Sequence, residues 1–135
     1  MDKERIALII NDLEVYFKKL GDMKIKSEKD LDDMKFYASS MLIFSIINRT
    51  LDLASEIVTS KNLGFPMEYK ELFVFLKKDK IIDKDKEEKL KDLVILRNKI
   101  SHRYGIIKNK DILEAIKKIE IVKDFIKDII KEIKK

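Results

Sequence analysis

The residues best suited to chemistry stand together in residues 96–105, which read LRNKISHRYG. This stretch holds the only histidine of the chain, His102, five residues after Arg97 and two before Tyr104. An arginine presents a fixed fork of donors that matches a phosphate group, and an imidazole both accepts and donates protons near neutral pH. Because RNA carries its own 2′-hydroxyl nucleophile, its cleavage needs mainly a proton-transfer group and a cation. Arg97 and His102 are therefore the candidate catalytic residues.

Each of these residues also has an ordinary structural explanation. A histidine at a helix end commonly satisfies the last carbonyl groups, and a neighbouring arginine is usually solvated. Tyrosines such as Tyr104 commonly pack with the hydroxyl at the surface. On a continuous helix, His102 comes near Arg97 only if the helix ends or tightens between them. The residue types alone leave both explanations open.

The composition predicts one helical domain over residues 1–135. Charged residues make up 41% of the chain, and three glycines and one proline leave few turns for a many-stranded sheet. The chain has no cysteine, which excludes disulfides and thiolate metal sites, and one histidine alone does not build a usual zinc centre. We therefore expect neither a metal ion nor a cofactor.

The charge distribution permits a polyanionic partner without requiring one. The net charge is +5, but 30 basic and 25 acidic residues are interleaved along the chain. The first ten residues, MDKERIALII, lack the pattern of a signal peptide, and no apolar run is long enough to span a membrane. We therefore expect a cytoplasmic protein with no membrane partner, whose lysine-rich C-terminal helix presents an ordinary solvated face.

Apolar periodicity predicts an antiparallel up-and-down bundle of four long helices and one short helix. The first helix begins after Asp2 and is ended by Gly21. A capping-box pattern at Ser27 and Asp30 opens a second helix that reaches Lys61. Its middle, MLIFSII, is apolar nearly all round, which indicates burial by the other helices and by a partner subunit.

The second half of the chain predicts three further helices. A short amphipathic helix covers residues 68–78. The helix that carries the motif is capped by Asp83 and stopped by Gly105, and a last helix begins at about Asn109. This last helix has an isoleucine seam that could pack in the bundle or across a dimer.

A polar row lies on the second helix beside this predicted core. Asn48, Asp52 and Glu56 are spaced four residues apart, with Arg49 alongside. Such a row is most often a solvated face. The alternative is that it lines a groove and orients Arg97 or His102 as supporting residues.

The motif pattern also resembles a known family. Arg97, His102 and Tyr104, with Asn98 beside the arginine, resemble the Arg-x4-His-x-Tyr signature of HepT-like proteins of the HEPN superfamily. Residues 64–105 are similar to that family in their order of Gly-x-Pro, short helix, Ile-Ile loop and motif helix. The resemblance covers essentially the entire chain, and its first helix is the least distinctive part.

The resemblance implies a fold, an activity and a partner. It implies a HEPN bundle that dimerises, or assembles further, so that two motif copies face a shared cleft, and that acts as a metal-independent ribonuclease toxin on RNA. Arg97 and His102 would be catalytic and Asn98 their polar neighbour. A minimal nucleotidyltransferase antitoxin would transfer AMP to Tyr104, which would mask the RNA site with bulk and negative charge. The resemblance assigns no role to Arg103.

Three other functions compete with this one. The chain could be a non-catalytic helical partner of a nucleotidyltransferase, because HEPN relatives include inactive members. It could be a structural dimer joined through the isoleucine seam, although the motif would then be unexplained. Residues 68–100 could form a DNA-binding helix-turn-helix, but KEEKLKDLV lacks a cluster of base-reading side chains.

Overall fold

The computed structural model describes residues 1–102 and 107–135. These residues form helices and contain no β-strand, which confirms the predicted all-α fold. The helices are α1 (Lys3–Asp22), α2 (Asp33–Ser60), α3 (Tyr69–Lys78), α4 (Lys84–His102), α5 (Asn109–Lys118) and α6 (Ile121–Ile133), with a short 3-10 helix at Glu28–Asp30. None of the described helices is long and apolar enough to cross a membrane.

Helix α1 runs slightly further than its sequence predicts. The carboxylate of Asp2 accepts a hydrogen bond from the backbone N–H of Arg5 at 3.0 Å and so caps the helix. Gly21, the predicted stop, lies inside the last turn of α1. The left-handed residue that follows the helix is instead Lys24, with a φ of 50°. A glycine permits the left-handed conformation that ends a helix but does not impose it.

The predicted start of α2 is wrong by several residues. The carboxylate of Asp30 does accept the backbone N–H groups of Lys26 and Ser27, at 2.8 and 3.0 Å, but this cap opens only the 3-10 helix. Leu31 is then extended and places its side chain in the core. Helix α2 begins after Asp32, whose carboxylate accepts from a backbone N–H in the first turn.

Helix α2 is the central element of the bundle. It packs against α1, α3, α4 and α5, and α6 packs against α4. One apolar cluster fills the space between these helices. The buried hydroxyls of Ser40 and Thr50 donate to backbone carbonyl groups one turn earlier on α2, both at 2.7 Å. The core therefore accommodates these polar groups without leaving them unsatisfied.

The predicted last helix is divided into α5 and α6 at Ile119 and Glu120. The isoleucine seam nevertheless continues through the break, because Ile119 and Val122 are both fully buried. Ile112 and Ile129 of the same seam are also buried within the protomer. The seam is thus occupied by the bundle itself, which argues against a structural dimer joined through it.

Candidate functional site around Arg97

Arg97 is held between α2 and α4 by two neutral oxygens. Its Nε donates to Oδ1 of Asn48 at 2.7 Å, and its NH1 donates to Oδ1 of Asn98 at 3.1 Å. No carboxylate pairs with Arg97 in the described part of the chain. Amide oxygens fix the position of a guanidinium but do not neutralise its charge. No described carboxylate therefore offsets the charge of this half-buried side chain.

Two aromatic rings flank the same guanidinium. Its central carbon lies 5.0 Å from the ring centroid of Tyr69, the first residue of α3, and 5.5 Å from that of Phe44 on α2. Each cation–π contact of this kind contributes on the order of 1 kcal/mol. The two rings and two amides together restrict Arg97 to one orientation. Such a pre-positioned cation is what an anion-binding site requires.

His102 is the last described residue of α4, and its side chain is exposed. Five residues on a helix correspond to a rotation of about 140° and a rise of about 7.5 Å, so the side chains of Arg97 and His102 leave α4 in different directions. Because α4 continues as a helix to His102, the helical rotation does not by itself bring the two groups together within one protomer. Instead, His102 shares a face of α4 with Ile95 and Asn98.

Of the remaining motif residues, only Asn98 lies in the part of the chain that the structure describes. Asn98 is exposed and contacts Arg97, as described above. Tyr104, the predicted modification site, and Arg103 lie outside the described residues, as does Gly105, the predicted stop.

The polar row on α2 divides into two parts. Only Asn48 reaches Arg97. Asp52 accepts from NH1 of Arg49 at 3.0 Å, and Glu56 accepts from Nε of Arg5 on α1 at 3.1 Å. Asp52 and Glu56 therefore form ion pairs with other arginines.

Phe44 and Tyr69 are contact residues that sequence reasoning missed. Phe44 lies within MLIFSII, where an aromatic residue is more simply explained by core packing. Tyr69 follows an extended loop, and no periodic pattern relates it to Arg97. No sequence signal identifies them, because the exposure of aromatic residues around the Gly-x-Pro segment becomes visible only once the helices are packed.

Tyr69 also borders a groove between α2 and the beginning of α3. The groove encloses about 460 Å³. Its lining consists of Leu51, Asp52, Ser55, Pro66, Met67, Glu68, Tyr69 and Leu72. Tyr69 is therefore shared by the groove and the contacts of Arg97, which is not itself a lining residue.

An apolar stripe on α2 leads towards this surface. Met34, Tyr37 and Met41 are 83%, 57% and 54% exposed, at the steps of three and four residues that follow one face of a helix. Phe44 continues the same face, and Asn48 follows it one turn later. We refer to Met34, Tyr37, Met41 and Phe44 as the α2 stripe. An exposed apolar row of this kind is unusual on a protein that functions alone.

The described residues bring no group of three or more histidine, aspartate or glutamate side chains together at a spacing that would hold a metal ion. The chemistry that the site itself offers is anion binding by a fixed guanidinium.

Comparison with known proteins places the chain in a family. A family model described as Ribonuclease HepT-like matches residues 6–131. None of the curated proteins matches the chain.

Among solved structures, the toxin–antitoxin with AMP-PNP has a TM-score of 0.86 at 20% identity, over 96% of this chain and 99% of that chain. The tri-AMPylated Shewanella oneidensis HEPN toxin in complex with MNT antitoxin gives 0.85 at 22%, over 98% and 99%. YutE from Bacillus subtilis, a cytosolic protein of unknown function, gives 0.84 at 17%, over 98% and 90%. At these identities the structural likeness shows a shared fold, and the family model spans nearly all of the sequence. The chain belongs to the HepT-like family.

Proposed function

We propose that this protein is the toxin of a toxin–antitoxin pair and cleaves RNA without a metal ion. The observation that carries the proposal is the guanidinium of Arg97, which is fixed by Asn48 and two aromatic rings but paired with no described carboxylate. A phosphodiester supplies the negative charge that this site lacks. The family to which the chain belongs and the toxins among its structural neighbours support the same activity.

The reaction divides between two side chains. The 2′-hydroxyl of the RNA attacks the adjacent phosphorus, which forms a 2′-O–P bond and breaks the bond to the 5′-oxygen. The imidazole of His102 assists one of the two proton transfers, from the 2′-hydroxyl or to the leaving oxygen. Arg97 stabilises the charge that develops on the phosphoryl oxygens. The products are a 2′,3′-cyclic phosphate and a 5′-hydroxyl.

The activity is tested by incubating the purified protein with RNA in the presence of EDTA. We expect cleavage with 2′,3′-cyclic phosphate ends, and a loss of about 100-fold or more in rate for His102→Ala. An exposed carboxylate variant on the solvent side of α4, Glu88→Gln, serves as a control and keeps the wild-type rate. Full activity in both Arg97→Ala and His102→Ala would overturn the proposal.

Because Arg97 and His102 leave α4 in different directions, a further element is needed to bring both groups to one phosphodiester. We propose that two protomers pair across the α2 stripe, which buries its exposed apolar side chains and sets two motif copies around a shared cleft. Each reaction site then combines Arg97 of one protomer with His102 of its mate. The angle of about 140° between the two side chains on α4 favours this arrangement over a site within one protomer.

A mixing experiment distinguishes the two arrangements. Arg97→Ala and His102→Ala protomers, each inactive alone, are co-refolded in equal amounts. Random pairing makes half of the dimers mixed, and each mixed dimer retains one complete shared site, so we expect about a quarter of wild-type activity. A site contained within one protomer would recover none.

Regulation is proposed to act beside this site. One structural neighbour is a tri-AMPylated HEPN toxin in complex with an MNT antitoxin. We infer that a minimal nucleotidyltransferase transfers AMP from ATP to the hydroxyl of Tyr104, which releases pyrophosphate. Intact-mass measurement after incubation with the nucleotidyltransferase and ATP tests this step. Adenylyl groups on the wild type but not on Tyr104→Phe are expected, and equal modification of both proteins would contradict it.

A second function is favoured by one feature of α4, the different directions in which Arg97 and His102 leave the helix. If no reaction site forms, the protein is a non-catalytic helical partner that binds the nucleotidyltransferase through the motif surface. Tight binding of that enzyme together with an absence of RNA cleavage by the unmodified protein would favour this function.

A further inference from the structure

We propose that the groove between α2 and α3 is a nucleobase subsite that selects guanine in the nucleotide whose phosphate binds Arg97. The inference rests on the proposed ribonuclease function and adds a base preference to it. The groove has an aromatic border, an apolar floor and an acidic rim.

The aromatic border links the groove to the phosphate site. Tyr69 is 48% exposed, and its ring contacts the guanidinium of Arg97 while lining the groove. Proteins that bind single-stranded RNA commonly stack bases on such exposed rings beside basic residues. A nucleotide with its phosphate on Arg97 therefore has an aromatic surface and a groove within the reach of its base.

The floor of the groove suits a flat, largely apolar ring. Leu51 and Leu72 are buried beneath it, and Pro66 and Met67 form part of its wall. Its volume of about 460 Å³ lies within the range typical of small-molecule sites and exceeds what one base requires. An apolar slot of this size excludes neither purines nor pyrimidines, so that selection must come from the rim.

The rim offers hydrogen-bond acceptors to the edge of a base. Glu68 has no ion pair or side-chain hydrogen bond with the other described residues, whereas Asp52 is paired with Arg49. A carboxylate repels phosphate but accepts N–H groups, so this end of the groove faces a base and Arg97 faces the backbone. Guanine presents two adjacent N–H donors on its Watson–Crick edge, which match the two oxygens of one carboxylate. Uracil presents only one.

Binding to uncleavable RNA tests the subsite separately from cleavage. Short 2′-O-methyl RNAs differ only at one position, which carries guanine, inosine, adenine or uracil. We expect the wild type to bind the guanine form about tenfold more tightly than the uracil form, with inosine intermediate because it lacks the 2-amino group. Glu68→Gln removes this preference, whereas the matched control Glu88→Gln, on the solvent side of α4, retains it.

The aromatic border is tested with a pair of substitutions. Tyr69→Phe keeps the ring and should keep the affinity, whereas Tyr69→Leu should weaken binding of all four RNAs by about tenfold. Thermal unfolding and sedimentation of both variants show whether the fold and the oligomeric state are retained. A shift of Tyr69→Leu from dimer to monomer would instead identify the groove as an interface between two copies and overturn the subsite.

The outcomes separate this inference from the proposed function. Cleavage of ordinary RNA combined with equal binding of all four bases overturns the subsite alone. Guanine preference without cleavage of any RNA supports the subsite and overturns the ribonuclease. An absence of RNA binding by the wild type overturns both.

Discussion

Two arginines near the middle of the bundle, Arg49 on α2 and Arg97 on α4, are held by different kinds of acceptor. Arg49 donates to Oδ2 of Asp12 on α1 at 2.6 Å and to Oδ2 of Asp52 at 3.0 Å. Arg97 donates to the amide oxygens of Asn48 and Asn98. Both guanidinium groups are fixed in place, but only the first is neutralised.

The comparison teaches that the charge of the acceptors separates a structural cation from one available to a ligand. Hydrogen bonding to Asp12 raises the pKa of Arg49 above its usual value, and its two carboxylates leave no net positive charge for a further anion. The amides and rings around Arg97 supply orientation without neutralisation. A phosphodiester can therefore complete the second site but would have to displace carboxylates at the first.

Alanine at each arginine should separate activity from stability, and this is the largest expected effect. Arg97→Ala should lower the rate of RNA cleavage by about 100-fold or more because it removes the cation that faces the phosphate. Arg49→Ala should keep most of the activity but lower the free energy of unfolding by about 1 kcal/mol, since its ion pairs are partly exposed. Cleavage assays and thermal unfolding measure the two effects. An equal loss of activity in both variants would remove the distinction.

The contrast between carboxylate and amide partners also predicts a smaller effect, on the stability of the bundle in acid. Hydrogen bonds from Lys61 and Lys135 hold the pKa of Glu132 below its usual value, and the backbone N–H of Lys108 does the same for Asp111. A carboxyl group whose pKa is lowered by folding contributes stability above its unfolded pKa, and this contribution is lost as the pH falls through the folded pKa. The free energy of unfolding should therefore decrease as the pH falls below about 4.

Variants at these carboxylates test the assignment. Glu132→Gln and Asp111→Asn should each flatten the acid slope measured by denaturant unfolding at several pH values, whereas the exposed Glu88→Gln should leave it unchanged. The contacts of Arg97 contain no carboxylate and should contribute nothing to this slope. An unchanged slope in Glu132→Gln and Asp111→Asn would contradict the structural role given to these ion pairs.

The sequence predicts the helical bundle and the motif residues better than their arrangement. Local signals locate α3 and the start of α4, where Asp83 caps the helix as expected. They fail at the start of α2, because a capping pattern does not reveal whether Leu31 must become extended to reach the core. The same limit applies to Arg97. The motif identifies this residue as a candidate, but its contact with Phe44 depends on how α2 and α4 pack.

The polar row on α2 illustrates the same limit in a single helix. Three residues at equal spacing look equivalent in sequence, yet only Asn48 contacts Arg97, while Asp52 and Glu56 pair with Arg49 and Arg5. Which partner each one meets depends on the neighbouring helices. Periodicity therefore identifies a face of a helix and leaves its partners undetermined.

Asn48→Asp tests the central claim most directly, because it gives Arg97 the kind of carboxylate partner that Arg49 has while keeping the guanidinium and its geometry. The measurement is the rate of RNA cleavage in EDTA beside that of Asn11→Asp, which adds the same charge at an exposed position on α1. We predict that Asn48→Asp lowers the rate by about tenfold without loss of thermal stability and that Asn11→Asp keeps the wild-type rate. Equal, undiminished rates in both variants would contradict the claim that the unneutralised charge of Arg97 carries the function.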